Sequence, residues 1–222
     1  MQIVKNLFWL VSMRITAAAF GFRSAARYSC DVPIHPHSIL IISGTNRPNS
    51  NTLKIARIVE QHYRQQNLPA ELYDLELLPS ELFSPQAYRQ KPAPFVVIQE
   101  QVLASAGLHV VLPEYNGSYP GVLKYFIDML KFPESFDQKP VAFVGLANGQ
   151  WGGLRAVEQM QMVFGYRNAH IYPERIFVSE VQHKLDAVGN LKDAAINDRF
   201  AKQVRGFAAY AGLLRSNRSG NA

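Results

Sequence analysis

Cysteine is almost missing from this chain: Cys30 stands alone, which excludes an intramolecular disulfide and any zinc site built on paired cysteines. The six histidines are scattered, with no helical His-x-x-x-His pair, so their spacing gives no support to a metal site. No apolar run reaches the roughly 20 residues that a membrane-crossing helix needs. Acidic residues are missing before Asp31, although Lys5, Arg14, Arg23 and Arg27 precede it. Without those four, 19 basic residues face 17 acidic ones, so most of the formal charge of +6 belongs to the leader. A nucleic-acid binder needs a clustered basic face, and the near-neutral remainder does not supply one.

What is present is an ordinary globular composition, 48% apolar and 18% charged over 222 residues, enough for one domain with a sizeable core. Residues 1–36 read as an N-terminal extension. A basic start, the apolar stretch Leu7 to Met13 and small residues at Ala17 to Ala19 loosely match a signal or transit peptide. An unstructured extension, or a start assigned too early, explains the same residues. The domain itself is expected over residues 37–215, in the reducing setting of the cytoplasm unless the extension targets it elsewhere.

From Ser38 onward, short apolar runs alternate with amphipathic segments, the pattern of repeated βα units and a parallel sheet. Strands are predicted at Ser38 to Ser43, Glu71 to Leu75, Leu108 to Leu112, Val141 to Leu146, and around Ile171 and Ile176 to Val178. Helices are predicted at Asn51 to Gln65, Phe95 to Ala106, Gly121 to Phe132, Gly153 to Gly165 and Leu191 to Leu214, with a long loop from Pro79 to Pro94. LHVVL at Leu108 to Leu112 reads as an apolar strand covered on both faces. The expected fold is therefore α/β, a five-stranded parallel sheet between two helical layers. Ligands bind such sheets beyond the carboxyl ends of the strands, at the switch in strand order.

Three stretches fall at that edge. The first, Gly44-Thr45-Asn46-Arg47-Pro48-Asn49-Ser50-Asn51-Thr52, joins strand one to helix one. Hydroxyls, amides and one arginine at a helix N-terminus suit a phosphate. Neither a Walker A lysine nor Gly-x-Gly-x-x-Gly is present, which disfavours ATP and a dinucleotide fingerprint. A helix cap at Ser50 or Asn51 accounts for part of the same pattern. The second, Pro113-Glu114-Tyr115-Asn116-Gly117-Ser118-Tyr119-Pro120-Gly121, follows strand three. Its fixed backbone can present peptide groups to a planar ring, with Tyr115 or Tyr119 near the ring face, and a tight turn with packed tyrosines is the simpler alternative. Asn116-Gly117-Ser118 also matches a glycosylation sequon, which matters only on a secreted surface loop. The third, Gly145 to Arg155, follows strand four, and its Gly149, Gly152 and Gly153 permit close backbone approach. Trp151 fits a ring cover or plain packing, and Arg155 an intrahelical or intersubunit ion pair.

In this order the three stretches resemble the NADPH-dependent FMN reductase family, which has a flavodoxin-like three-layer fold. The likeness runs from about Ser38 to Tyr210 and is most specific in Pro113-Glu114-Tyr115-Asn116-Gly117-Ser118-x-Pro120-Gly121-x-Leu123-Lys124. It implies FMN as cofactor, with Thr45, Arg47, Ser50 and Thr52 at the phosphate, Gly44 and Asn51 in the same loop, Pro113, Glu114, Tyr115, Asn116 and Gly117 wrapping the ring, and Gly149 and Gly153 bordering it. Many members carry Asn where Thr52 stands. The resemblance also implies NADPH or NADH as donor, with hydride passing through the flavin to flavin, quinone, azo or similar acceptors. A homodimer or homotetramer is implied too, with Tyr125, Phe126, Met129 and Leu130 near a subunit contact; ordinary core explains those four residues equally well. The rival readings are a non-enzymatic flavodoxin-type carrier, for which the near-neutral surface is poor steering, and an interaction protein that has lost its flavin.

Overall fold

The computed structural model describes residues 38–219, with side chains to residue 216. The predicted extension, residues 1–36, lies outside the described residues. Five strands form one sheet: β1 (Ile39–Ser43), β2 (Ala70–Asp74), β3 (Gly107–Pro113), β4 (Pro140–Leu146) and β5 (His170–Val178). Their order is β2-β1-β3-β4-β5, and every neighbouring pair is parallel. The longer helices are α1 (Asn51–Gln65), α2 (Ala93–Ala104), α3 (Gly121–Met129), α4 (Leu154–Tyr166) and α6 (Ala194–Ser219), with the single-turn α5 (Val181–Lys184) between β5 and α6. The flavodoxin-like three-layer α/β fold is thereby shown.

Alternation along the strands builds the two cores, because successive side chains leave a strand on opposite faces. Leu40, Ile42, Leu108, Val110, Leu112, Val141 and Phe143 pack under α2, α3 and α4. Ile39, Ile41, Val111, Ala142, Val144 and Leu146 pack under α1 and α6. With β3 and β4 buried along their whole lengths, the middle of the sheet is a rigid floor, and the loops at its carboxyl edge inherit that rigidity.

The departures from the sequence reading each have a local cause. The segment expected as a loop, Pro79 to Pro94, holds two short 3₁₀ helices, Ser80–Phe83 and Pro85–Tyr88, and a third, Leu75–Leu77, stands just before it. They bury Leu75, Leu82 and Ala87 in the α2–α4 core. The last strand is continuous through Pro173, and its register against β4 shifts between Val141 and Phe143. An edge strand tolerates this, since a proline lacks only the donor that the ladder would have used. Helix α6 starts three residues later than Leu191, which instead pairs with Leu185; Asp193 then accepts from the Ile196 N–H as a cap.

The LHVVL run contains the largest surprise. His109 is fully buried between Tyr63 of α1 and Gln203 of α6. Gln203 Nε2 donates to the carbonyls of Phe143 and Glu174 at 3.1 and 3.0 Å, so its Oε1 is the acceptor left for His109 Nε2–H at 3.2 Å. His109 Nδ1 in turn accepts from the Tyr63 hydroxyl at 3.0 Å. The network thus selects a neutral imidazole, and burial, opposed only weakly by Gln203, pushes the His109 pKa down to about 4.

Candidate functional site

Because β1 and β3 are neighbours while their connections leave toward opposite faces, the strand order reverses between them. A cleft of about 590 Å3 opens there, within the roughly 300–1,000 Å3 usual for small-molecule sites. Its walls come from the loops after β1, β3 and β4, together with Val181 of α5.

The first wall runs from Arg47 to Thr52. Ser50 caps α1, accepting from the Leu53 N–H at 3.0 Å, so the cap reading holds and still leaves the hydroxyl proton free to donate. The N–H groups of the first helical turn have no intrahelical acceptors, and with the helix dipole they favour an anion in front of them. Arg47 is exposed at the rim. Thr45 is fully buried and lies behind this wall rather than on it. Its Oγ1 accepts from the Arg47 N–H at 3.3 Å and pairs with the Tyr115 hydroxyl at 2.9 Å. Gly44 also lies behind the wall. A Cβ there would come within 2.9 Å of the Val111 carbonyl oxygen, so the position needs glycine for close packing of β1 on β3.

The second wall, Pro113 to Gly117, is a two-residue hairpin turn. Tyr115 N–H donates to Ser118 O at 2.8 Å, and Ser118 N–H to Tyr115 O at 3.0 Å. Asn116 and Gly117 at its tip have φ of 52° and 77°, the left-handed pair that such turns require and that Asn-Gly accepts best. Glu114 is tied down on both sides: its N–H donates to Leu146 O at 3.0 Å, and its Oε1 accepts from Arg155 at 3.1 Å. Glu114 Oε2 is buried with no protein partner among the described residues.

The third wall is Leu146 to Gly149. Val181 N–H donates to Ala147 O at 3.2 Å, and Gln182 N–H to Asn148 Oδ1 at 3.3 Å, which clips α5 against it. Gly153 is placed behind this wall, not in it. With φ of 87°, a Cβ there would meet the Leu146 backbone nitrogen at 2.6 Å.

The profile of the NADPH-dependent FMN reductase family matches residues 37–184. The chain belongs to that family. Among similar proteins is an NAD(P)H-dependent FMN reductase of Pseudomonas aeruginosa, 30% identical over 65% of this chain and 80% of the relative. Another is an NADPH azoreductase of a Bacillus strain, 25% identical over 72% of this chain and 86% of the relative. A structure of FerB, a flavoenzyme NAD(P)H:(acceptor) oxidoreductase from Paracoccus denitrificans, superposes with a TM-score of 0.65 at 19% identity, covering 79% and 97% of the two chains. At that identity it speaks to the fold.

As a member of the family, the chain brings Arg47, Ser50, Asn51, Thr52, Pro113, Glu114, Tyr115, Asn116, Gly117 and Gly149 to one cleft. Pro48, Asn49, Leu146, Ala147 and Asn148, which the sequence reading placed in the first and third stretches without a role of their own, also line the cleft, and Val181 is the wall residue it missed. Asn49, at φ 54°, carried a turn signal; Val181 carried none, since only the fold of the β5–α6 connection delivers it. Trp151 is 52% exposed and outside the cleft. Arg155 bridges to Glu114 of the second wall rather than to a residue of its own helix. Phe126, Met129 and Leu130 are core of the single chain, and Tyr125 stacks on Phe83 and donates to Leu82 O at 2.7 Å, which favours the core reading for all four.

Proposed function

We propose that this chain binds FMN in the cleft and uses it to move a hydride equivalent from NAD(P)H to a small acceptor such as flavin, a quinone or an azo compound. The observation that carries this reading is the convergence of an anion-favouring helix terminus and a fixed peptide turn on one cleft. When bound, FMN supplies the chemistry, accepting hydride and passing the electron pair on. The chain's own residues fit the group. Arg47, Ser50, Asn51 and Thr52 offer charge, hydroxyls and helix N–H donors to a phosphate. Asn116, Gly117 and Gly149 offer peptide edges to a ring, and the orphaned Glu114 Oε2 is an acceptor for a ring N–H. Thr45 serves here through Tyr115 and Arg47, holding two walls together.

Anaerobic titration of the full chain with FMN and then NADPH, followed at the flavin absorption band and by fluorescence, tests the reading. Bound FMN fluorescence is expected to fall, and the band to bleach on NADPH. Arg47→Ala is expected to weaken FMN by about tenfold while leaving riboflavin, which lacks the phosphate, unchanged. Wild-type protein that neither quenches FMN nor bleaches with NADPH overturns the proposal.

We also propose self-association through the α3–α4 face, in a cytoplasmic setting where NAD(P)H is supplied. Phe132, Met162 and Tyr166 are exposed there, and Arg167, stacked over the Phe132 and Phe136 rings, has Nε and Nη2 without a hydrogen-bond partner among the described residues. Contiguous apolar groups with an unpaired donor suit a self-complementary two-fold contact. Sedimentation is expected to give twice the chain mass, and a monomer at micromolar concentration rejects it. No helix among the described residues is long and apolar enough to cross a membrane.

A further inference from the structure

The hairpin tip at Asn116 and Gly117 holds two residues in the left-handed region. Asn-Gly accepts that geometry well, so the turn itself is favourable. Two backbone bonds between Tyr115 and Ser118 close the base of the turn. Helix α4 adds a restraint beyond the base of the turn. Gln159 reaches the turn with both ends of its amide: Oε1 accepts from Ser118 Oγ at 2.5 Å, and Nε2 donates to Gly117 O at 3.1 Å. No other described side chain bonds both sides of this turn. The N–H groups of Asn116 and Gly117 find no acceptor among the described residues, and both residues line the cleft.

We propose that Gln159 is a positioning residue for the cleft: by holding the Gly117 carbonyl and the Ser118 hydroxyl, it fixes the Gly117–Ser118 peptide and, through that end of the turn, the two preceding peptides whose Asn116 and Gly117 N–H donors meet the carbonyl edge of the bound ring. Gln159 does not line the cleft, so it acts through the turn and not by contact. Pre-organised donors bind without first losing conformational freedom, whereas a released tip samples several orientations before each encounter. The assignment rests on the FMN reading above, and on the ring rather than the phosphate end of the ligand.

The test uses the full chain and two variants, Gln159→Met, which keeps length and packing, and Ser118→Ala, which removes only a hydroxyl. FMN and riboflavin dissociation constants are read by fluorescence quenching, the bound flavin's absorption envelope by difference spectra, and the melting temperature on the flavin-free protein. Gln159→Met is expected to weaken FMN and riboflavin by the same factor, about tenfold, and to alter the bound spectrum. Ser118→Ala is expected to weaken both by about threefold, and the double variant is expected to be no worse than Gln159→Met, since both changes release one contact. The flavin-free melting temperature should move by less than about 3 °C. Affinities within twofold of wild type, fully additive losses, or an affinity loss that only tracks a collapse in melting temperature each overturn the role of Gln159. If wild-type protein binds neither flavin, the FMN reading fails as well.

Discussion

Gly153→Ala is expected to destabilise the flavin-free protein by about 3–4 kcal/mol, and Gly149→Ala by less than about 0.5 kcal/mol, although the two glycines stand in one loop. Gly153 has φ of 87°, and an added Cβ would lie 2.6 Å from the Leu146 nitrogen and 3.0 Å from the Gly145 carbonyl carbon. An alanine in the left-handed region costs about 1–2 kcal/mol. Forcing a methyl group against backbone that cannot swing aside adds about 1–3 kcal/mol. The backbone in question is the end of β4, a central strand buried along its length, so relief by movement would disturb the sheet. At Gly149 a Cβ meets nothing within 4 Å, and its φ is not in the left-handed region. There the methyl group projects into open space at the cleft wall, so it should cost ligand affinity instead of stability. Thermal unfolding of the two variants without flavin, beside their FMN dissociation constants, separates the roles. Gly153→Ala is expected to lower the melting temperature by about 10 °C; a value within 2 °C of wild type would show that the contact with β4 yields easily.

Stability is also expected to fall on acidification between about pH 6.5 and pH 4 because of His109. Its folded pKa, about 4, lies below the unfolded value near 6.5. In that window the unfolded chain takes up a proton that the folded chain refuses. The contribution is therefore complete above pH 6.5 and is lost as the pH falls through about 4. The difference corresponds to about 3 kcal/mol at full extent. Urea unfolding at a series of pH values reads the slope. His109→Gln, which keeps a donor and an acceptor but cannot titrate there, is expected to be less stable at pH 7 and to show a flatter profile. An unchanged slope in that variant would assign the acid sensitivity to other groups.

The strands and the edge of the sheet that carries the cleft were legible in the sequence, whereas the packing of Gly153 and the partners of His109 were not. The alternation of apolar runs and amphipathic helices was enough to place the strands within a residue or two, because burial on both faces demands continuous apolar sequence and helices demand a stripe. Polar turn residues after β1, β3 and β4 pointed to the cleft for a related reason, since hydroxyls, amides and glycines are costly inside elements and gather where backbone must be presented. The hairpin at Asn116-Gly117 was legible as a turn from its residues alone.

What the residues could not announce is which of them face the cleft and which stand behind it. Gly149 and Gly153 look alike in sequence, and only the approach of β4 to the start of α4 makes one a wall and the other a packing contact. Thr45, placed by resemblance at the phosphate, points its hydroxyl to Tyr115, 70 residues away. His109 is one letter in an apolar run until α1 and α6 bring Tyr63 and Gln203 to it. By itself the sequence determined the order of elements and the edge of the sheet where chemistry gathers, because local propensity and burial act on neighbours along the chain. Tertiary structure alone decided the partners of each polar group, because hydrogen bonds between distant segments depend on where packing puts them.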